Sequence, residues 1–421
     1  MFEAGIGTSQ NWDPVQAGSE VIQQALKDLS KPPKFVLLFS TIHYDKDKGL
    51  QKILDTVYHF IPKETPLIGG TVSGFMNNSG CFTRGLTALA CYSDEMDVAI
   101  GLGKNTKRNP KKAVKELLNE TDRLQSRFPN EVYFTIISGG KIPFIPFLKQ
   151  GRVVFSKLLG KIESMFIPLI LFLFQKGVGR EEELLKSIVS TKPNASLFSI
   201  STMDNEKMEK NYQFFNNKIV TDAIIGLKIA TLFKSFNQTE HGLAKTNKTF
   251  TVTKLSKDKR IIEKINGKSP REEFLRVLGW PGSYLDELIY RKIFFYPLAY
   301  SKEGFDYPFI PGLFLGDQIV STYQLETNEI SVLSASGKAL LDAVKKSTDA
   351  APNNILFFMT AECGIRLETL GSKLLKSREI MLNKLGKKPF LSLYVGGEAT
   401  YSKEKGLRFG NDTFNIVALY A

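Results

Sequence analysis

Three apolar runs near the end of the chain, interrupted only by Ser392 and Asn415, set its pattern: Ile355-Leu356-Phe357-Phe358-Met359, Phe390 to Val395, and Phe414 to Tyr420. A strand with one wet face alternates apolar and polar residues, whereas a continuous run marks a strand covered on both faces. Between the first two runs, Leu367, Leu370, Leu374, Leu375, Ile380 and Leu385 recur at helical spacing, which predicts a crossover helix over 367–385. The same order recurs near the start: strand Phe35 to Ser40, a helix near Leu50 to Phe60, strand Pro66 to Gly74, then Leu86 to Tyr92. A further helix is expected around Ala17 to Leu29. Val132 to Phe233 reads as a third, degenerate copy, with a helix over Gly179 to Val189, a strand over Ala195 to Ile200 and closing strands over Ile219 to Ile229. The expected fold class is therefore α/β, a mixed-sheet sandwich of repeated strand-helix-strand-hairpin units in amino- and carboxy-terminal halves whose loops face a shared cleft. Chance recurrence in a chain that mixes helices and strands is the competing reading.

One stretch breaks the pattern. Met165 to Phe174 is strongly apolar, but its ten residues fall short of the roughly 20 that span a membrane, and they include Pro168. A buried strand is expected there, with 144–159, which mixes Lys, Arg and apolar residues, as its lead-in. The alternative is an interfacial segment that touches a membrane or a partner.

At 421 residues, 43% of them hydrophobic, the chain can bury two or three sizeable cores. No positively charged leader with an apolar core opens it, so secretion and a transmembrane segment are not expected. Three scattered cysteines, Cys81, Cys91 and Cys363, fit a reducing cytoplasm. The net charge of +13 raises the question of nucleic acid. Between His241 and Arg271 nine Lys or Arg face only Asp258 and Glu263, yet this stretch predicts a hairpin, Phe250-Thr251-Val252-Thr253 pairing with Arg260-Ile261-Ile262-Glu263, with an Asn266-Gly267 turn and a helix over Arg271 to Leu278. A second cluster, Lys104, Lys107, Arg108, Lys111, Lys112 and Lys115, lies in a loop and helix start. No helix-turn-helix, zinc-finger or RNA-recognition signature accompanies either, so a solvated basic face is expected and no specific nucleic-acid partner.

Polar landmarks sit at the ends of the carboxy-terminal strands: Cys363-Gly364-x-Arg366, Arg378-Glu379, Gly396-Gly397-Glu398 and Asn411-x-Thr413. Strand ends of one sheet converge, so these side chains are expected to meet in a pocket. Their order resembles the carboxy-terminal half of the FIST domain, a sensory module of F-box and intracellular signal-transduction proteins. The amino-terminal half extends the resemblance through Gly5-Ile6-Gly7-Thr8-Ser9 and Ile68-Gly69-Gly70-Thr71-Val72-Ser73-Gly74. One position departs: Phe75 stands where the family often has an acidic residue. The resemblance implies a FIST N-like domain over 1–235 and a FIST C-like domain over 236–421, meeting around Phe233 to Asn247. It also implies a small-molecule ligand, amino acids foremost. Because the two halves fill the chain, a signal is expected to pass to a separate partner protein, and the duplicated glycine-ended strands suggest that ligand closes the halves. The ligand residues it implies are Cys363, Arg366, Gly396, Gly397, Glu398 and Asn411, with Gly69, Gly70 and Ser73 from the first half.

The chemistry of these residues suits a zwitterion. The Arg366 fork matches a carboxylate or phosphate, Glu398 could accept an ammonium, and the glycines let backbone N–H groups approach. In the competing reading Arg366 and Glu398 pair with each other or with Arg378 and Glu379, and Asn411 and Thr413 serve a turn. Cys363 opens an enzyme alternative, a hydrolase or transferase with a thiol nucleophile, although no spacing ties His43, His59 or His241 to it. No metal-ligand spacing, phosphate loop or dinucleotide fingerprint is present, so no cofactor is expected. A basic nucleic-acid-associated protein is the remaining alternative.

Overall fold

The structure is a computed structural model that describes residues 1–142 and 152–421. It is built from three units of one design. Each unit has an edge strand, a closing strand antiparallel to it, and a parallel pair joined by a crossover. The first uses Phe2–Ser9, Leu86–Ser93, and the parallel pair Phe35–Ser40 and Leu67–Thr71. The second uses Met96–Lys104, Ala223–Thr231, and the pair Asn130–Ile137 and Ser196–Ser201. The third uses Lys234–Glu240, Phe414–Tyr420, and the pair Ile355–Cys363 and Leu391–Val395. The degenerate copy expected over 132–233 is thus a full member of the set.

The units interlock by exchanging hairpins. After its second parallel strand each chain segment leaves its own sheet. Gly74–Asn77 of the first unit pairs with Leu391–Val395 of the third and, on its other side, with Gly80–Phe82. Gly397–Ser402 of the third pairs with Ser196–Ser201 of the second and with Gly406–Gly410. Gln213–Phe215 of the second pairs with Leu67–Thr71 of the first and with Lys218–Val220. At the crossing point three equivalent backbone hydrogen bonds close a ring: Ser73 N to Tyr394 O (2.9 Å), Gly396 N to Ser201 O (3.0 Å) and Met203 N to Thr71 O (2.9 Å). Each donor lies two residues past the acceptor of its own unit, which makes the arrangement a pseudo-threefold. The halves 1–235 and 236–421 therefore share strands.

Hydrophobic burial follows the same plan. Inner-face residues of all three six-stranded sheets, among them Phe39, Phe134, Phe198, Met359 and Leu393, form one core. The outer faces are covered by amphipathic helices. Pro14–Leu26 and Gly49–Val57 bury Val21 and Ile53 on the first sheet. Pro110–Thr121 and Glu181–Thr191 bury Leu117 and Leu185 on the second, and Gly337–Ala350 and Leu374–Leu385 bury Val344 and Met381 on the third. The crossover expected as one helix over 367–385 is broken: Arg366–Leu370 ends at Gly371 (φ 51°), a left-handed residue that a helix cannot continue through, before Leu374–Leu385 begins.

Strands between Ala244 and Ser334 build an inserted eight-stranded sheet, completed by Val153–Val154 of the second unit, whose Val153 lies beside Phe314. The basic hairpin is here as expected: Ala244–Leu255 pairs with Ile261–Ile265, followed by Asn266 and Gly267, both at positive φ, and the helix Pro270–Leu278.

Met165 to Phe174 does not form the expected buried strand. It is the second half of an exposed helix, Lys157–Phe174. Gly160 is why the helix can seat on the inserted sheet, because a Cβ there would lie 2.1 Å from Gly316 N. Ser156 caps the start by accepting from Leu159 N, and Arg108 donates to the Phe172 and Leu173 carbonyls at the end. The expected lead-in falls partly on 143–151, outside the described residues. Among the described residues no helix is long and apolar enough to cross a membrane.

Candidate functional site

The strand ends of the second and third units frame a cavity of about 90 Å³, with room for roughly six to nine water-sized groups. Three of the residues singled out in the sequence line it: Cys363, Gly396 and Asn411. Facing them are Thr202 and Met203, which follow the second unit's strand Ser196–Ser201. Pro311 and Leu313 of the inserted sheet, with Phe294, close the apolar side. The first unit contributes no lining residue.

Beside Asn411, the polar chemistry of the cavity comes from residues the sequence did not single out. Arg152 is 3% exposed. Its guanidinium lies 3.9 Å from the Tyr290 ring centre, and Nη2 donates to the carbonyls of Glu206 (3.3 Å) and Lys207 (3.0 Å). Its Nε has no partner, and no carboxylate forms an ion pair with it among the described residues. An unpaired buried guanidinium N–H is a costly arrangement unless something else satisfies it. Asn411 accepts with Oδ1 from Ile310 N (3.1 Å) and from the Thr322 hydroxyl (2.8 Å). Its side-chain amide N–H₂ makes no hydrogen bond among the described residues. Glu206 stands at the rim in a left-handed conformation, φ 70°. Burial, reinforced by the neighbouring Glu368, pushes its carboxyl up to about 7. Its loop is organised by Asp204, whose carboxylate accepts from the N–H groups of Met208, Glu209 and Lys210.

Arg366 does not reach this cavity. It is 0% exposed, with Nε donating to Glu362 (2.8 Å), Nη1 to His241 O (3.3 Å) and Nη2 to Leu340 O (3.3 Å). Asp412 lies 3.7 Å away on its far side. One cation cannot hold two buried carboxylates equally, and burial pushes Asp412 up to about 7 while Glu362 keeps the direct hydrogen bond. Arg366 is an ion-pair residue, but its partners are Glu362 and Asp412 rather than the Glu398 or Glu379 of the competing reading. An acidic residue inside an otherwise apolar strand was the signal for Glu362.

Glu398 also faces inward. Its Oε1 accepts from Thr413 N (3.1 Å) and Oγ1 (2.8 Å). Gln213 plays the equivalent part in the second unit, its Oε1 accepting from Ala223 N (3.2 Å). Ala223 and Thr413 precede residues at matching registers, Ile224 opposite Ile137 and Phe414 opposite Glu362. A neutral amide does in one unit what the carboxyl does in the other. Burial pushes Glu398 well above the usual carboxylate range, and its Oε2 adjoins a separate void of about 10 Å³ beside Ser201 and Tyr323, which Gly397 also lines.

Gly69, Gly70 and Ser73 lie in the first unit's sheet and at the ring. A Cβ on Gly69 would meet Leu38 O at 1.7 Å, and one on Gly70 would meet the Thr202 methyl and Tyr212 O at 2.6 Å, so both serve close approach of strands. Ser73 Oγ donates to Asp204 O (2.7 Å), which ties the ring to the loop that carries Glu206. Arg378 donates to Asn77 and Asn78 carbonyls of the exchanged hairpin, and Glu379 is exposed. Of the expected surface cluster, Lys107 is buried, with Nζ donating to Gly139 O (3.0 Å).

Cys363 is 4% exposed, and burial, with Glu398 nearby, pushes its thiol well above the usual range. That keeps it protonated, the opposite of an activated nucleophile. Among the described residues no group of three or more His, Cys, Asp or Glu could hold a metal ion.

A family model, the FIST N domain, matches residues 34–268, more than half of the chain. No curated protein matches it.

Proposed function

The chain belongs to the FIST family, a family of sensory domains linked to signal transduction, and from that premise we propose that it is a small-ligand sensor whose site is the cavity at Cys363, Gly396 and Asn411. The observation that carries this reading is Arg152, a buried cation on the cavity wall whose Nε has no partner among the described residues. A ligand carboxylate would satisfy that N–H together with the free amide of Asn411. Glu206 at the rim would take an ammonium, and Val178, Leu313 and Phe294 would hold an apolar substituent. An amino acid or a similar small metabolite has all three features, and the cavity accommodates the heavy atoms of a small one. Gly396 would serve by leaving the wall open, and Arg366, Glu398, Gly69 and Gly70 by holding the strand ends in place.

The same contacts suggest how a signal arises. Arg152 holds the Glu206–Lys207 carbonyls, and Ser73 holds the same loop from the ring. A ligand that engages Arg152 and Asn411 together bridges the second and third units, and biases a two-state equilibrium towards the closed arrangement. A separate partner protein reads the change. The free thiols Cys81, Cys91 and Cys363 favour a reducing, cytoplasmic setting for it.

The test is thermal unfolding of the protein against a panel of amino acids and related carboxylates. A ligand at a hundredfold over its Kd stabilises by about 2.7 kcal/mol. A hit that persists undiminished in Arg152→Met would remove this cavity as the site.

A further inference from the structure

We propose that the helix Lys157–Phe174 is an interfacial anchor that lays this protein on an anionic lipid bilayer. The helix buries only Gly160, Ser164 and Leu171 against the rest of the molecule. On its outer side Leu158, Ile162, Met165, Leu169 and Phe172 follow one another at three- and four-residue spacing, all exposed, Met165 at 71% and Phe172 at 53%. They make one continuous apolar ridge roughly 21 Å long at 1.5 Å per residue. A ridge of this size on an otherwise charged surface marks a contact to be made.

Charge decides what makes it. The two basic clusters of the sequence, far apart along the chain, both arrive at this helix. Lys161, Met165 and Pro168 share a groove with Lys254 and Lys257 of the basic hairpin, where Asp258 and Glu263 leave the lysines in excess by one. Arg108, from the other cluster, clasps the last carbonyls of the helix. Lys254 is engaged by Glu263 at 2.6 Å, whereas Lys161 and Lys257 have no acidic partner among the described residues. The only acidic residue of the helix, Glu163, is half-buried. Apolar side chains flanked by cations match the boundary between acyl chains and anionic headgroups. A second copy of the chain would bring the same net charge of +13 against this face, which disfavours self-association. With no helix among the described residues both long and apolar enough to cross a membrane, the proposal places this segment in the plane of the interface.

Vesicle flotation tests this with the full chain. With phosphatidylcholine vesicles in which about one lipid in three is phosphatidylserine the protein should float, and with pure phosphatidylcholine roughly tenfold less of it should. Raising salt should release it, because the headgroup attraction is screened. Met165→Ser with Leu169→Ser and Phe172→Ser should abolish flotation at unchanged melting temperature, since these side chains are exposed. Lys161→Glu with Lys257→Glu should weaken it by about tenfold or more. Flotation on neither vesicle, or undiminished flotation of the serine variant, overturns the proposal. So does light scattering that finds a dimer dissolved by the serine substitutions, which would make the ridge a self-interface.

Discussion

Two buried arginines divide the molecule into a region that holds it together and a region that recognises. Around Arg366 the third unit has packed a carboxylate, two backbone carbonyls and a second carboxyl, so every nitrogen of the guanidinium is answered from within, while the Asp412 oxygens accept no hydrogen bond among the described residues. Around Arg152, at the junction of the second and third units, two loop carbonyls and a tyrosine face are provided and one N–H is left over. The lesson is that burial of a charge alone says little about function. What matters is whether the protein has completed its hydrogen bonds, because a completed set fixes a fold and an incomplete one leaves something for a ligand to supply.

The comparison breaks first at Arg366. Arg366→Met should cost about 3–5 kcal/mol by leaving Glu362 buried and unpaired, measured by denaturant unfolding. Adding Glu362→Leu should recover part of that loss. An Arg366→Met protein of normal stability that no longer responds to ligand would invert the assignment of the two regions.

Arg152→Met should do the reverse. It keeps the aliphatic stem but loses the guanidinium face on Tyr290 and the hydrogen bonds to the Glu206 and Lys207 carbonyls, so unfolding should shift by about 1.5–3 kcal/mol, less than at Arg366. The ligand-induced stabilisation, about 2.7 kcal/mol at a hundredfold over Kd in the parent, should vanish.

Acidity sharpens the contrast between rim and core. A carboxyl whose folded value lies above its unfolded one contributes stability below the unfolded value and loses it as pH climbs through the folded one. Burial pushes Glu206 from 4.5 up to about 7, so the unliganded protein should lose stability between about pH 4.5 and 7. Asp412 acts with the same sign. Glu206→Gln should flatten only its own share of that fall. In calorimetric titration the same substitution should remove the gain in affinity for an ammonium-bearing ligand expected as pH rises through 7.

Much of the first region was legible in the sequence and little of the second. Runs such as Ile355 to Met359 and Phe414 to Tyr420 announce doubly covered strands, and their recurrence shows the three units, because each strand's burial is a local property of its residues. The hairpin exchange is not local, and nothing in Gly397 to Gly410 says which sheet it joins. Cys363, Gly396 and Asn411 could be found because strand ends converge. Arg152 could not, since its role depends on Tyr290 and the Glu206 loop meeting it across the fold. Met165 to Phe174 misled for a physical reason: a helix exposed over most of its circumference and apolar there shows no 3.6-residue alternation, and its Pro168 argued against a helix.

The smallest expected effect is at Cys363, and it bears on which kind of contact the cavity makes. The thiol lines the wall next to Gly364, but its proton is held by burial rather than released by a base, and no histidine hydrogen-bonds to it among the described residues. Cys363→Ser should therefore leave ligand affinity within a few-fold, because an isosteric hydroxyl keeps the shape of the wall and the polar anchoring rests on Arg152 and Asn411. In the native protein, reaction of this thiol with a disulfide reagent at pH 8 should be far slower than that of a free cysteine, and should reach the ordinary rate only on unfolding. Ligand should slow it further by filling the cavity. Fast labelling of the native thiol, together with loss of a catalysed turnover on Cys363→Ser, would move the cavity from recognition to chemistry.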